Sequence, residues 1–191
     1  MGRYQDAVDT LKRAIMLHGS DRAYSNLGSA YIRLHSYADA VPVMEKAVAL
    51  APSNDVYWRN LGDAYQLAPG LSSKAPAAYR HAADLAEEEV KVNPRDSTSL
   101  SDAALYWAKL GQFVRARKEI SRAVELAPTD NDVLFTSALV YELSGDRPRA
   151  LTAIKAAYKA GYALEDIQNA PELTRLRNDA EYSLWLKHSV R

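Results

Sequence analysis

The chain has 191 residues, of which 48% are hydrophobic and 25% charged, a balance typical of a folded chain and not of a disordered one. Lysine plus arginine (24) equals aspartate plus glutamate (24), so no net charge favours nucleic acid or an anionic membrane as a partner. Cysteine is absent, which excludes disulfides, thiolate catalysis and cysteine-ligated metals, and no apolar run reaches the roughly 18 residues of a membrane-spanning helix.

The first predicted element is a helix, and helices follow it along the chain. Alanine and leucine dominate while β-branched residues are scattered, which favours helix over strand. Leu27 followed by Gly28 recurs 34 residues later as Leu61 followed by Gly62. The same period separates three alanines of the later helices, Ala82, Ala116 and Ala150. Several independent positions that share one period predict a series of repeated helix pairs.

These repeated residues resemble the tetratricopeptide repeat, a helix–turn–helix unit of about 34 residues. The family's first helix carries a large residue, then Leu-Gly, then Tyr, as in Tyr24, Leu27, Gly28 and Tyr31, and again in Trp58, Leu61, Gly62 and Tyr65. Its second helix carries Ala, a large apolar residue, Ala and a closing Pro, as in Ala40, Met44, Ala47 and Pro52. The resemblance covers about residues 1–162 and implies an all-α fold, a right-handed superhelical solenoid of antiparallel helix pairs.

Two glycines inside predicted helices, Gly28 and Gly62, indicate close packing between helices. Glycine costs about 1 kcal/mol relative to alanine in a helix interior. We expect the missing side chain to let the paired helix approach, and small residues such as Ala40 and Ala47 to do the same from the other side. One unit cannot bury its own apolar stripe, so stacked neighbours are expected to complete the core.

The repeat predicts the order of units along the chain. A half unit occupies residues 1–20, whole units follow at 21–54, 55–96, 97–130 and 131–162, and a non-repeat helical cap occupies 163–191. The unit at 55–96 is longer because of an insertion near 67–74, where Pro69-Gly70 signals a turn. The stretch from Gly161 to Arg177 resembles the tails that follow such repeats in bacterial multidomain kinases and regulators.

The half unit at the front has a second helix but no first helix before it. We therefore expect the inner face of residues 4–17, with Ala7, Leu11 and Ala14, to lie partly bare. This gives an alternative function for the chain: a structural module that docks on its parent chain, or associates with a second copy, through that face.

In this family the first helices of successive units line a concave groove. The resemblance implies a peptide-binding groove formed by Arg22, Asn26, Ser29, Arg33, Arg59, Asn60, Asp63, Ser101, Asp102, Leu105, Phe135, Thr136 and Leu139. Asn26 and Asn60 stand 34 residues apart, and an amide offers a peptide backbone both a donor and an acceptor. The alternative is that these two side chains merely face water. The groove's basic and apolar parts suit a ligand with an acidic end and a hydrophobic end.

Chaperone-binding members of the family hold two carboxylates with Lys, Asn and Arg at set groove positions. Here Val56, Asp63, Thr98 and Asp102 depart from that pattern. Acidic groups beside a carboxylate ligand repel it, so a chaperone-tail clamp is not predicted.

No catalytic constellation stands out in the sequence. His18, His35, His81 and His188 show no metal-ligand spacing, and phosphate-binding loops and nucleophile elbows are missing. We therefore predict a protein that is not an enzyme and that holds no metal or cofactor. Its expected partner is a protein or peptide, and neither nucleic acid nor a membrane. The N-terminal residues lack the apolar core of a signal peptide, which predicts a cytoplasmic chain.

Overall fold

A computed structural model describes the backbone of residues 2–189, and within that range it contains eleven α-helices and no strand. The helices are α1 (Gly2–Leu17), α2 (Asp21–Arg33), α3 (Tyr37–Leu50), α4 (Asp55–Leu67), α5 (Ala75–Val92), α6 (Ser97–Lys109), α7 (Phe113–Leu126), α8 (Asn131–Leu143), α9 (Arg147–Lys159), α10 (Leu164–Asn169) and α11 (Ala180–Ser189). Short 3-10 turns lie at Ser72–Lys74, Pro171–Leu173 and Leu176–Asn178. The predicted all-α repeat solenoid is confirmed.

The first helix of each pair begins at a side-chain cap. Ser20, Asn54, Asp96 and Asp130 precede α2, α4, α6 and α8, and each accepts hydrogen bonds from backbone amides of the first turn. Such caps satisfy amides that have no partner inside the helix. After α6 and α8 the turn passes through Gly111 and Gly145, whose φ angles of 75° and 77° favour glycine. The side-chain caps thus mark where the first helices begin, and the two glycines mark where α6 and α8 end.

Chain contacts divide the protein into two compact units, one ending at Ala86 and one beginning at Glu87. The boundary falls inside α5, and the second unit includes the segment after residue 162 together with α6–α9. The sequence predicts a different division, with an array over 1–162 and a separate cap over 163–191.

In the first unit, α2 packs against α1 and α3, and α3 packs against α4. Ala40, Met44 and Ala47 are fully buried at the centre of α3. A Cβ atom added to Gly28 would lie 2.6 Å from Met44, and one added to Gly62 would lie 2.5 Å from the Tyr79 ring. The expected close approach at both glycines is confirmed.

The half-unit helix α1 is only partly covered, as expected. Val8 is buried, Ala7 and Leu11 are half-buried, and Ala14 is exposed. The most exposed apolar residues of α1 are Met16 (87%) and Leu17 (88%), at its C-terminal end.

In the second unit, α6 packs against α7 and α8, and α8 packs against α9. Leu100, Ile120, Val140 and Ile154 are fully buried between these helices. The segment that follows α9 joins the same core, because its apolar residues Ile167, Leu173, Leu176 and Tyr182 are between 0% and 2% exposed.

Candidate peptide-binding faces

The predicted groove residues of the first unit lie on two neighbouring helices, α2 and α4. We call this surface the α2/α4 face, and its members are Arg22, Asn26, Ser29, Arg33, Arg59, Asn60 and Asp63. The two helices are in contact, and the Asn60 amide donates a hydrogen bond of 3.1 Å to the Ser25 hydroxyl. Arg22, Asn26 and Arg33 are exposed, while Ser29 and the three polar residues of α4 are half-buried.

Asn60 and Asn26 are not in equivalent surroundings. Asn26 is exposed, whereas one donor of Asn60 is engaged by Ser25 on the neighbouring helix. An amide carries two donor hydrogens and an acceptor oxygen, so Asn60 uses only part of its capacity in this bond. The bond also fixes the orientation of the Asn60 side chain on the face.

Arg59 and Asp63 form an ion pair within α4. Their side chains approach to 3.2 Å, and the Tyr79 hydroxyl of α5 donates a 2.8 Å hydrogen bond to the same carboxylate. The Asp63 charge is thereby offset by groups of its own unit, which weakens its repulsion of an acidic ligand. On α2, the Arg33 guanidinium lies 5.6 Å from the centre of the Tyr4 ring and donates a 3.4 Å hydrogen bond to its hydroxyl.

Tyr57 joins the start of α4 to the start of α2. Its hydroxyl donates a 3.0 Å hydrogen bond to the Asp21 carboxylate. Burial, followed by this bond to Asp21, raises the pKa of Tyr57, so the phenol is neutral at physiological pH. The bond therefore joins α4 to α2 at one end of the α2/α4 face.

The predicted groove residues of the second unit lie on α6 and α8. We call this surface the α6/α8 face, and its members are Ser101, Asp102, Leu105, Phe135, Thr136 and Leu139. Asp102 and Thr136 are half-buried, but Ser101 (4%), Leu105 (6%), Phe135 (9%) and Leu139 (6%) are buried. Leu105, Phe135 and Leu139, which the sequence analysis expects to form the apolar part of the groove, are therefore buried and not open to a ligand.

The segment after α9 covers part of the α6/α8 face. The Phe135 ring stacks on Tyr162 with centroids 4.0 Å apart, and the turn Pro171–Leu173 packs against α8. The Lys109 ammonium at the end of α6 lies 2.6 Å from the Glu172 carboxylate, with side-chain exposures of only 8% and 15%. An aromatic stack and a buried ion pair thus occupy the surface that the sequence assigned to an outside ligand.

Sequence reasoning missed the bond between Asn60 and Ser25, and it missed Tyr162 and Glu172 as residues that contact these faces. Ser25 is a small polar residue 35 positions from Asn60, and Glu172 is 63 positions from Lys109. Neither pair follows the 34-residue period, so repetition gave no signal for them. Tyr162 stood out only as the residue at which the period ends.

A small cavity of about 150 Å³ lies in the second unit, beside Trp107. The Arg115 guanidinium lies 4.0 Å from the centre of the Trp107 indole and pairs with Glu87. Arg115 thus bridges the aromatic ring and the carboxylate at the wall of the cavity. Across residues 2–189 no group of three His, Cys, Asp or Glu side chains is arranged to hold a metal ion. Over the same range, no helix combines the length and apolar character needed to cross a membrane.

Antiparallel helix pairs of 13 to 18 residues, joined by short turns with small residues at their contacts, define an α-helical repeat protein. The chain belongs to the tetratricopeptide repeat family, whose sequence profile matches residues 1–55, 25–86 and 77–131. Proteins of this family serve as scaffolds for protein–protein interaction, and membership supports that general role here.

Two similar proteins illustrate the relationship. The Hsp70-Hsp90 organizing protein of Triticum aestivum is 34% identical over 76 residues, which cover 39% of this chain and 13% of the wheat protein. The chain therefore spans only a small part of that relative. The crystal structure of TTC0263, a thermophilic TPR protein of Thermus thermophilus, matches with a TM-score of 0.61 and 21% identity, over 90% of this chain and 91% of the other. This second likeness supports the fold alone.

Proposed function

We propose that the chain is an interaction scaffold that holds an extended, acidic segment of a partner protein on the α2/α4 face. The observation that carries this proposal is the row of exposed Arg22, Asn26 and Arg33 along one helix, with Arg59 and Asn60 beside it on the next. Guanidinium groups attract carboxylates, and amides bond to a peptide backbone without reading its side chains.

The charge balance of the face supports an acidic ligand. The members of the face include three arginines and one aspartate, Asp63. The Asp63 carboxylate already forms an ion pair with Arg59 and accepts a hydrogen bond from the Tyr79 hydroxyl. Exposed arginines carry a flexible chain, so each contact is expected to be modest and salt-dependent. The wheat relative is named as an organizer of Hsp70 and Hsp90, which is in keeping with a protein ligand. The carboxylate clamp of chaperone-binding members is not part of the proposal, because Val56 and Asp63 depart from its pattern.

The test uses two fluorescein-labelled peptides, (Glu-Ser-Gly)4 and the matched (Lys-Ser-Gly)4, and fluorescence anisotropy on the full chain. We expect only the acidic peptide to bind, with affinity that falls as salt rises. Replacing Arg22 and Arg33 together by Ala should weaken binding about tenfold, which corresponds to about 1.4 kcal/mol.

The double variant Asn26→Ala with Asn60→Ala should weaken binding of the acidic peptide at every salt concentration. Lys46→Ala is the matched control, since Lys46 is an exposed cation on the second helix α3. Equal affinities for both peptides would contradict the proposal.

The second candidate function is self-association through residues 4–17. It is favoured by the exposure of Met16 and Leu17 at the end of α1. Sedimentation equilibrium separates the two functions: a mass that rises with concentration, and that returns to the monomer value in Met16→Ser with Leu17→Ser, would support self-association. A monomer at all concentrations would remove it.

A further inference from the structure

Four groove residues of α2 form a single line along the helix. Arg22, Asn26, Ser29 and Arg33 are separated by four, three and four positions in turn. Side chains three or four positions apart lie above one another on the same face of an α-helix. This line, which we call the α2 stripe, therefore carries a guanidinium at each end, with an amide and a hydroxyl between them.

The two arginines of the α2 stripe are three helical turns apart. An α-helix rises about 1.5 Å per residue, so the backbones of Arg22 and Arg33, eleven positions apart, are separated by about 16 Å along the axis. An extended peptide advances about 3.1–3.4 Å per residue. Two carboxylates of one such peptide therefore reach both guanidinium groups when they stand five or six positions apart.

The Arg33 end of the stripe is held by a contact with α1. The Arg33 guanidinium lies 5.6 Å from the centre of the Tyr4 ring and donates a 3.4 Å hydrogen bond to the Tyr4 hydroxyl. A guanidinium on an aromatic ring keeps its charge and has five N–H donors, so it can also bind a carboxylate. Because this contact restricts the rotamers of Arg33, the distance between the two charges varies less than between two unrestrained arginines.

The third arginine of the α2/α4 face is placed differently. Arg59 is half-buried on α4 and forms a 3.2 Å ion pair with Asp63 of the same helix. A ligand carboxylate at Arg59 must compete with the Asp63 carboxylate for the same guanidinium. The exposed Arg22 and Arg33 are therefore the better anchors for an acidic ligand.

We propose that the α2 stripe selects acidic segments by the spacing of their carboxylates. The preferred ligand is an extended segment with two acidic residues five or six positions apart, one for Arg22 and one for Arg33, and with its intervening backbone at Asn26. A ligand that reaches both arginines gains the second contact within the same complex, whereas a more closely spaced pair engages only one arginine. This inference rests on the proposed function, because it names the class of ligand that the α2/α4 face holds.

The test uses three rigid peptides that differ only in spacing. Each is a fluorescein-labelled twelve-residue proline peptide with two glutamates, placed three, six or nine positions apart. A proline helix has three residues per turn and advances about 3.1 Å per residue, so the glutamates share one face and lie about 9, 19 or 28 Å apart. The arginine side chains can take up the difference between 16 and 19 Å. Fluorescence anisotropy on the full chain at low salt should show at least threefold tighter binding of the peptide with six-residue spacing.

Moving one arginine along the stripe provides the second readout. In the double variant Ser29→Arg with Arg33→Gln, the two guanidinium groups stand seven positions apart, or about 10 Å along the axis. Its preference should move, by at least threefold, to the peptide with three-residue spacing. The matched control is Arg33→Gln alone, which should bind the three peptides equally. Circular dichroism checks that both variants keep the helix content of the unaltered chain.

The outcomes separate this inference from the proposed function. Equal affinity of the unaltered chain for the three peptides would overturn the spacing while leaving the proposed function in place. A preference for six-residue spacing that persists in Ser29→Arg with Arg33→Gln would also overturn it, because residues other than the two arginines would then set the spacing. Failure of every acidic peptide to bind, (Glu-Ser-Gly)4 included, would overturn both.

Discussion

Among the glycines that the structure describes, Gly62 leaves the least room for an added side chain. An added Cβ would meet the Tyr79 ring at 2.5 Å, and that ring is 4% exposed and held through its hydroxyl by Asp63. At Gly28 the nearest atoms belong to Met44, an unbranched side chain with more rotamers to choose from.

We therefore expect Gly62→Ala to lower the free energy of unfolding by about 1–2 kcal/mol, since a clash against a fixed ring outweighs the gain in helix propensity. Gly28→Ala should cost less. Urea unfolding followed by circular dichroism measures both. A larger loss for Gly28→Ala than for Gly62→Ala would contradict this account of the packing.

Tyr65 links α4 to α3 through a 2.7 Å hydrogen bond to Glu45. Burial, and then the bond and charge of Glu45, raise the pKa of Tyr65 to about 12. In the unfolded chain the pKa of tyrosine is about 10. The stabilisation is therefore complete below about pH 10 and is lost as the pH rises towards 12.

We expect the free energy of unfolding to fall between pH 10 and pH 12 more steeply in the unaltered chain than in Tyr65→Phe. Glu45→Gln, which removes the charged acceptor, should give an intermediate slope. Chemical unfolding at several alkaline pH values supplies the comparison. Parallel slopes in all three proteins would show that Tyr65 does not titrate as described.

Residue-scale contacts differ in how far the sequence predicts them. The close approach at Gly28 and Gly62 follows from their repeated place inside a helix, because a glycine is unfavourable there unless packing needs it. The bond between Asn60 and Ser25 does not follow, since it depends on the rotamers of two side chains on different helices. The sequence predicts Asn60 as a groove residue, but its bond to Ser25 is visible only in three dimensions.

At the scale of the helices, the side-chain caps set where the first helix of each pair starts. The carboxylate of Asp130 accepts hydrogen bonds of 3.0 Å from the amides of Asp132 and Val133 at the start of α8. Asp130→Ala should lower the free energy of unfolding by about 1 kcal/mol, because those amides lose their partner. Thermal unfolding provides the measurement, with the exposed neighbour Thr129→Ala as control. An equal loss in the two variants would argue against a capping role.

The repeat also explains which elements could be placed from sequence. Periodic residues locate α2 to α9, because the same side chains must meet in every pair. The course of residues 162–178 across the α6/α8 face was not predicted, since it rests on single contacts of Tyr162 and Glu172 that do not follow the 34-residue period. The stacking of Phe135 on Tyr162 belongs to the same unpredicted packing.

At the scale of the whole chain, contacts group the residues into two compact units, while the array over 1–162 and the cap over 163–191 stay a prediction. The insertion near residues 67–74 is followed by α5, which at 18 residues is longer than the 13 or 14 of α2 to α4 and α6 to α9. The unit boundary falls within this long helix. Each unit has its own candidate face: α2 and α4 carry exposed arginine and asparagine, and part of the α6/α8 face contacts the segment that follows α9.

The central claim is that a partner segment lies on the α2/α4 face. The most direct measurement is a map of amide chemical-shift changes in the full isotopically labelled chain as (Glu-Ser-Gly)4 is added. We expect the largest changes to cluster on α2 and α4, around Arg22, Asn26, Arg33 and Asn60, and to diminish in the double variant Arg22→Ala with Arg33→Ala. Changes centred on the second helix α3, or changes that persist undiminished in that double variant, would contradict it.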